Sequence, residues 1–163
     1  MKHLICCLFL LPVFAWAETE STGSAPTFRL NTLDGESVNS ESLRGKVIYL
    51  DFWASWCGPC KVSFPDMKAL QSEFGRDVFQ VIAVSVDSNP KDARRFVERF
   101  EPNFLILTDP EGAIAERFSI PAMPTSFLID QHGNIRHMHK GYRPGDAEKL
   151  KPLIAALTGE DPA

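Results

Sequence analysis

Lysine and arginine are too scattered in this sequence to form a basic block, and the formal net charge is −4. Nucleic-acid-binding proteins need such a basic surface, so nucleic acid is excluded as a partner. Internal repeats and low-complexity segments are also absent. The length of 163 residues and the apolar fraction of 44% instead indicate one globular domain with a sizeable core.

No apolar stretch reaches the roughly 20 residues that span a bilayer. The longest one follows a single lysine and ends at Ala15-Trp16-Ala17, which resembles a signal cleavage site. Residues 1–17 are therefore predicted to be a removable secretory signal. We expect a periplasmic or otherwise extracytoplasmic protein that is soluble after cleavage, with a retained membrane anchor as the alternative. Residues 18–25 are predicted to form a flexible lead-in, and residues 26–158 are predicted to form the folded domain.

Cysteine is scarce, because two of the four cysteines, Cys6 and Cys7, belong to the predicted signal. Cys7 follows another cysteine rather than the small residue expected at a lipoprotein site. The mature chain keeps Cys57 and Cys60 alone. A disulfide between residues this close closes a very short loop and stabilises a fold little. We therefore interpret the pair as chemically active.

Hydrophobic periodicity predicts alternating strands and helices. A β-hairpin should begin the domain, and a nearly continuous apolar run over residues 47–53 is typical of a strand buried on both faces. Pro65 should kink the first helix, and Pro152 should kink the last helix or delay its start. The order predicts an α/β sandwich with a mixed sheet. The expected strands are 27–30, 37–38, 47–53, 78–86, 104–108, 125–130 and 134–140, and the expected helices are 58–75, 89–100, a short one through 118, and 146–157.

Cys57 and Cys60 lie where the buried strand passes into a helix. The unpaired amides and the partial positive charge of a helix N-terminus stabilise a thiolate, and Cys57 should benefit most. We predict that the Cys57 thiolate attacks a substrate disulfide and that Cys60, shielded beneath it, resolves the mixed disulfide. Gly58 and Pro59 should form the tight turn between the sulfurs and leave room for substrate.

Asp51 is the only acidic residue in the apolar run 47–53. Burial without a partner is costly for a carboxylate, so its pKa should be raised. Its position in the strand before Cys57 should place it beneath the cysteine pair. We predict that Asp51 accepts the proton of Cys60 in the resolving step, as a general base. A satisfied polar group at a strand end is the alternative.

Pro124 stands in Met123-Pro124-Thr125, just before the second predicted hairpin. The spacing alone supports only a turn. A cis bond here would bring the backbone of Met123 against the sulfurs, where it could pair with an extended substrate. Trp56, beside Cys57, should lie at the exposed rim of the site, and ordinary core packing is the alternative.

The segment Asp51–Lys61 resembles the thioredoxin active site, and residues 123–125 resemble that family's cis-proline segment. Residues 25–47 and the insertion between the second and third core strands resemble the TlpA/ResA-like extracytoplasmic branch. The resemblance covers about residues 25–157. It implies a thioredoxin-like three-layer sandwich with a mixed β-sheet, an N-terminal β-hairpin and a central insertion.

This resemblance also implies a thiol–disulfide oxidoreductase that reduces disulfides of exported proteins. The redox-active disulfide Cys57–Cys60 would serve without a separate cofactor or a metal, and a membrane thiol reductant of DsbD or CcdA type would restore the dithiol. The residues expected to be catalytic are Cys57, Cys60, Asp51 and Pro124, and those expected to contact substrate are Trp56, Gly58, Pro59, Met123 and Thr125.

The sequence departs from this family at two positions. Many members carry a glutamate three positions after the second cysteine, where this chain has Ser63, so the acid role would fall to Asp51 alone. Cytochrome-maturation members have a Gly-Ala-Pro-Glu stretch at the cis-proline, and residues 122–125 lack it. A dedicated role in haem-protein maturation is therefore not implied.

Three other classes agree less well with the sequence. A thiol peroxidase would need proline and threonine at the places of Leu50 and Ala54. A copper chaperone of the Sco type separates its two cysteines by three residues, whereas this chain separates them by two. A zinc site needs about four ligands, and His137 and His139, which share a strand face, lie far along the sequence from the cysteines.

Overall fold

A computed structural model of the protein describes residues 23–159. The predicted secretory signal and most of the lead-in lie outside the described residues. Between residues 23 and 159, no helix is both long enough and apolar enough to cross a membrane. The helices are α1 (Gly58–Phe74), α2 (Pro90–Phe100), α3 (Ala113–Arg117) and α4 (Asp146–Thr158), and a 3-10 helix covers Ser40–Leu43.

The strands are β1 (Gly23–Ser24), β2 (Arg29–Thr32), β3 (Ser37–Asn39), β4 (Val47–Trp53), β5 (Phe79–Ser85), β6 (Leu105–Thr108), β7 (Thr125–Ile129) and β8 (Asn134–Lys140). They form one mixed sheet in the order β1-β8-β7-β4-β5-β6-β2-β3. β4, β5 and β6 run parallel, and the other neighbours pair antiparallel. The predicted N-terminal hairpin is β2–β3, and the predicted insertion between the second and third core strands, β5 and β6, contains α2.

Strand β4 lies at the centre of the sheet, and all of its residues are buried. It pairs with β5 on one side and β7 on the other. Trp53 at its end lies opposite Ser85, the last residue of β5, and Phe52 lies opposite Thr125, the first residue of β7. The end of β4, the end of β5 and the start of β7 therefore meet at one edge of the sheet.

Alternation along β4 divides the interior into two cores. Tyr49 and Trp53 point into a core that packs α1, α2 and α4 against the sheet, and both Cys57 and Cys60 belong to it. Leu50 and Phe52 point into the opposite core, which α3 covers. Helices on both faces of a mixed sheet confirm the predicted α/β sandwich.

Two details differ from the sequence-based expectation. Gly23 and Ser24, predicted to be part of a flexible lead-in, form β1 and pair with Ile135 and Asn134 of β8. They do so because β8 would otherwise be the edge strand, with unpaired backbone groups that attract another strand. Pro152 lies inside α4 without delaying its start, since the helix begins at Asp146.

Candidate active site

The cysteine pair opens α1. Cys57 is the N-cap residue, and its Sγ accepts a hydrogen bond from the backbone N–H of Cys60 at 3.2 Å. The two sulfurs form a disulfide, with Cys57 4% exposed and Cys60 fully buried. An amide aimed at Sγ, together with the helix dipole, stabilises negative charge on this sulfur once the bond is reduced. The geometry therefore favours Cys57 as the ionised sulfur and Cys60 as the protected one.

The loop before Cys57 is held by Asp87, which follows β5. Both carboxylate oxygens of Asp87 accept hydrogen bonds from the backbone N–H of Ser55, at 3.2 and 3.0 Å, and Ser55 Oγ donates to Oδ1 at 2.8 Å. Ser85 Oγ donates to Oδ2 at 2.8 Å. The sequence analysis missed this residue. Its position directly after a strand that ends at the same sheet edge as β4 was the available signal.

Exposed residues surround the disulfide. Trp56 is 70% exposed, and Gly58 and Pro59 are exposed in the first turn of α1. Trp53, in contrast, is fully buried and packs against Phe64 and Phe96, with ring centroids 4.8 and 4.6 Å away. The tryptophan on the strand therefore anchors the core, and the tryptophan beside Cys57 forms part of the rim.

The peptide bond between Met123 and Pro124 is cis. The Pro124 carbonyl accepts a hydrogen bond from the backbone N–H of Gly141 at 2.8 Å, and Thr125 Oγ1 donates to the Ala122 carbonyl at 2.7 Å. Met123 is half-buried and packs against the core that contains both cysteines. The proline segment thus adjoins the cysteine-containing core at the edge of the sheet where α1 begins.

Asp51 lies in the middle of β4 and is 1% exposed. It is opposite Ala83 on β5 and Ser126 on β7, and it shares a strand face with Tyr49 and Trp53. Its side chain therefore enters the core that holds the cysteines. Its Oδ2 has no hydrogen-bond partner among the described residues. Burial raises the pKa of Asp51 well above its usual value, so this carboxyl holds a proton at pH values where an exposed aspartate is ionised.

Two hydroxyl groups lie beside Asp51. Tyr49 Oη donates a hydrogen bond to Ser126 Oγ at 2.8 Å, in the buried interior. Burial, and secondarily the nearby charge of Asp51, raises the pKa of Tyr49 well above its usual value. Tyr49 therefore remains a neutral donor. Sequence reasoning found neither residue, because their proximity to Asp51 depends on the register of β4 against β7.

Ser63 is fully buried in α1, and its Oγ donates to the Cys60 carbonyl at 3.1 Å. It stands where many TlpA/ResA-like sequences have a glutamate, and a serine hydroxyl carries no charge. Residues 23–159 contain no cluster of three or more histidine, cysteine, aspartate or glutamate side chains arranged to hold a metal ion. His137 and His139 stack on β8 with ring centroids 6.4 Å apart.

The fold and the disulfide together define a class. The structure is similar to that of a putative thiol:disulfide interchange protein DsbE from Chlorobium tepidum, with a TM-score of 0.82 and 41% sequence identity over 86% of this chain and 99% of that one. The protein is a thiol–disulfide oxidoreductase of thioredoxin-like fold.

Sequence comparison gives the family. A family model described as Redoxin matches residues 20–154, so the chain belongs to the Redoxin family. It is 37% identical to the thioredoxin-like protein YneN of Bacillus subtilis over 72% of this chain and 69% of that protein. It is 32% identical to the thiol-disulfide oxidoreductase ResA of the same organism, over 81% of this chain and 76% of ResA. These relatives confirm the TlpA/ResA-like branch inferred from the motifs.

Proposed function

We propose that the protein reduces disulfides of exported proteins in an extracytoplasmic compartment, through dithiol–disulfide exchange at Cys57 and Cys60. The observation that carries this proposal is the position of Cys57 as the N-cap of α1, with an amide N–H directed at its sulfur. A sulfur in this position is a preferred thiolate, and the thiolate is the attacking species in exchange.

The first step is attack by the Cys57 thiolate on a substrate disulfide. A bond forms between Cys57 Sγ and one substrate sulfur, the substrate S–S bond breaks, and the second substrate sulfur leaves as a thiolate that takes a proton from water. The exposed rim of Trp56, Gly58 and Pro59 gives a polypeptide access to the sulfur. Next to it, the backbone of Met123, held by the cis bond to Pro124 and followed by buried Thr125, would pair with an extended substrate strand.

The second step is resolution by Cys60. The Cys60 thiol loses its proton to the Asp51 carboxylate and attacks Cys57 Sγ. The bond between Cys57 and the substrate breaks, and the substrate leaves with both sulfurs reduced. Two electrons have then passed from the dithiol to the substrate, and the Cys57–Cys60 disulfide is restored. The buried position of Asp51, with an unpartnered oxygen, supports its role as the proton acceptor.

The cycle needs an external reductant and no bound cofactor. A membrane dithiol protein of the DsbD or CcdA type would attack the Cys57–Cys60 disulfide and return two electrons. The extracytoplasmic location rests on the predicted signal over residues 1–17, and it is tested by expressing the full chain and determining the N-terminus and compartment of the mature protein. A protein that keeps residue 1 and remains in the cytoplasm would contradict this part of the proposal.

Substrate reduction is tested with insulin in the presence of dithiothreitol. We expect the wild-type protein to accelerate insulin reduction and Cys57→Ser to abolish the effect. Cys60→Ser should retain the first attack but stall as a mixed disulfide, so a client trapped by this variant and absent from Cys57→Ser is a physiological partner. A wild-type protein with no effect on insulin reduction would contradict the proposal.

The direction of transfer is tested by redox titration. We expect a potential below about −220 mV, on the reducing side of the known range. A value near that of the strong exported oxidants, about −120 mV, would make the protein an oxidase of exported thiols instead.

A further inference from the structure

Three polar residues form a row across the sheet. Asp51 on β4 is directly opposite Ser126 on β7, and Ser126 is directly opposite His139 on β8. Side chains of directly opposed residues point to the same face and have Cβ atoms about 5 Å apart. The three side chains therefore lie side by side, perpendicular to the strands, on the face that packs against α1 and α4.

The row leads from the interior towards solvent. Asp51 is 1% exposed and Ser126 2% exposed, whereas the His139 side chain is 27% exposed. The neighbouring positions on this face of β4 and β7 are filled by Tyr49, Trp53 and Leu128 of the apolar core. Ser126 is the polar side chain next to Asp51 in this row, and His139 is the next one towards solvent.

Hydrogen bonds orient the middle and the outer end of the row. Tyr49 Oη occupies one acceptor position of Ser126 Oγ, so the hydroxyl retains a second acceptor position and its own proton to donate. At the outer end, His139 Nε2 lies 3.1 Å from Asp146 Oδ2. Asp146 also accepts from the backbone N–H of Arg143 at 2.8 Å and from Lys149 Nζ at 2.9 Å. Hydrogen bonding to Lys149 lowers the pKa of Asp146, so its carboxylate is charged.

We propose that Ser126 and His139 are the route by which Asp51 exchanges its proton with solvent, and that they thereby set the rate at which Asp51 becomes available as a base. This inference rests on the proposed function. The Asp51 carboxyl donates its proton to Ser126 Oγ, while the hydroxyl proton of Ser126 passes to Nδ1 of His139. The Nε2–H of His139 faces Asp146, and one of the two protons then on the ring leaves to water. Asp51 ends as a carboxylate, and no electrons are transferred.

Other titratable groups surround the row. Tyr142, which follows β8, has its ring centroid 6.4 Å from that of His139 and donates from Oη to Asp66 of α1 at 2.8 Å. Burial and this hydrogen bond raise the pKa of Tyr142, so it stays neutral. β5 contributes the apolar Ala83 opposite Asp51. The titratable or charged groups on the elements around the row include Cys57, Cys60 and Asp66 on α1, Tyr49 on β4, His137 on β8, Tyr142 after β8, and Asp146 and Lys149 on α4.

The direct test is exchange of the Asp51 proton. The carboxyl band of protonated Asp51 is followed by infrared difference spectroscopy against Asp51→Asn, after dilution of the reduced protein into heavy water. We expect Ser126→Ala and His139→Gln to slow exchange by about 10²-fold, the lower end of the range ascribed to positioned proton-transfer groups. Ser126→Thr, which keeps the hydroxyl, should exchange like the wild type.

His137→Gln is the matched control. His137 is on the same strand face, but it is opposite Leu128 rather than Ser126, so its substitution should leave exchange unchanged. Exchange at the wild-type rate in both Ser126→Ala and His139→Gln would overturn the inference. If Ser126→Ala does not fold, the comparison of His139→Gln with His137→Gln still tests the inference, because equal exchange rates in these two variants would overturn it.

A kinetic test links the row to the reaction. Release of substrate from a preformed mixed disulfide at Cys57 should slow in Ser126→Ala by a similar factor. In an Asp51→Asn background, Ser126→Ala should cause no further loss, because the base it serves is gone. Equal losses in the two backgrounds would overturn the inference even while wild-type insulin reduction upholds the proposed function. Absence of insulin reduction by the wild type would instead refute the function itself.

Discussion

The carboxylate of Asp87 accepts hydrogen bonds from both the backbone N–H and the hydroxyl of Ser55. These bonds attach the loop before Cys57 to the end of β5. The carboxylate is 5% exposed. The role of Ser55 is to connect the central strand β4 with the helix that Cys57 caps, two residues later along the chain.

Removal of Asp87 should therefore destabilise the protein. Asp87→Ala leaves the donors of Ser55 and Ser85 without their buried acceptor, and we expect a loss of about 2–4 kcal/mol in the free energy of unfolding. Urea denaturation measures it. Asp34→Ala is the control, since Asp34 forms an exposed pair with Arg94 at 3.0 Å and should cost less than about 1 kcal/mol. Similar losses in both variants would show that Asp87 does not anchor the loop.

The raised pKa of Asp51 predicts how stability depends on pH. Between the carboxyl pKa of the unfolded chain and the higher pKa of the folded protein, the folded state binds more protons. Below this window, the Asp51 carboxyl makes its full contribution to the free energy of unfolding. That contribution is lost as pH rises through the window, by about 1.4 kcal/mol per pH unit. Asp51→Asn should remove this slope and be more stable than the wild type above the window.

Urea titrations of the oxidised proteins across the acidic and neutral range measure the slope. Asp34→Asn changes the same charge at a position whose side chain is 79% exposed and should retain the wild-type slope. Parallel stability curves for wild type and Asp51→Asn would mean that Asp51 titrates normally in the folded protein.

Asp51→Asn should also separate the two steps of exchange. Only the resolving step needs a proton acceptor for Cys60, so release of substrate from the mixed disulfide should slow by about 10²-fold, while the first attack by Cys57 changes little. Stopped-flow measurement of both steps with a fluorescent disulfide checks this. Unchanged release would remove Asp51 from the mechanism.

The two cysteines should differ in reactivity after reduction. Cys57 receives the amide hydrogen bond of Cys60, whereas Cys60 is fully buried. We expect iodoacetamide to modify Cys57 first near neutral pH, and Cys60 at least about tenfold more slowly, because the thiolate is the reactive form. Peptide mass mapping over a time course gives both rates. Equal labelling of the two sulfurs would contradict the assignment of attacking and resolving roles.

The fold and the cysteine site could be predicted from the sequence because the patterns that indicate them are local. The apolar run 47–53, the spacing of Cys57 and Cys60, and the residues around Pro124 each lie within one short segment. The contacts of Asp87 with Ser55, and of Tyr49 with Ser126, join residues 32 and 77 positions apart. They depend on strand order and register, which periodicity does not specify.

The same reason explains the departures at the ends of the domain. Gly23 and Ser24 have no strand-like pattern of their own, and they become a strand only because β8 offers an unpaired edge. Pro152 disfavours a helix interior locally, yet α4 continues through it, since Leu150 and Ile154 on either side are buried against the sheet. Tertiary packing here outweighs local propensity.

The position of the short strand β1 determines on which side of the protein an N-terminal tether would lie. It pairs at Asn134 and Ile135, whereas the opposite end of β8, at Lys140, is the one beside Thr125 and the cis-proline. About 20 Å of strand separates the two ends. A tether, fluorophore or surface linked just ahead of Gly23 would therefore hold the protein from the side remote from its sulfurs, with the reactive disulfide still facing incoming polypeptides.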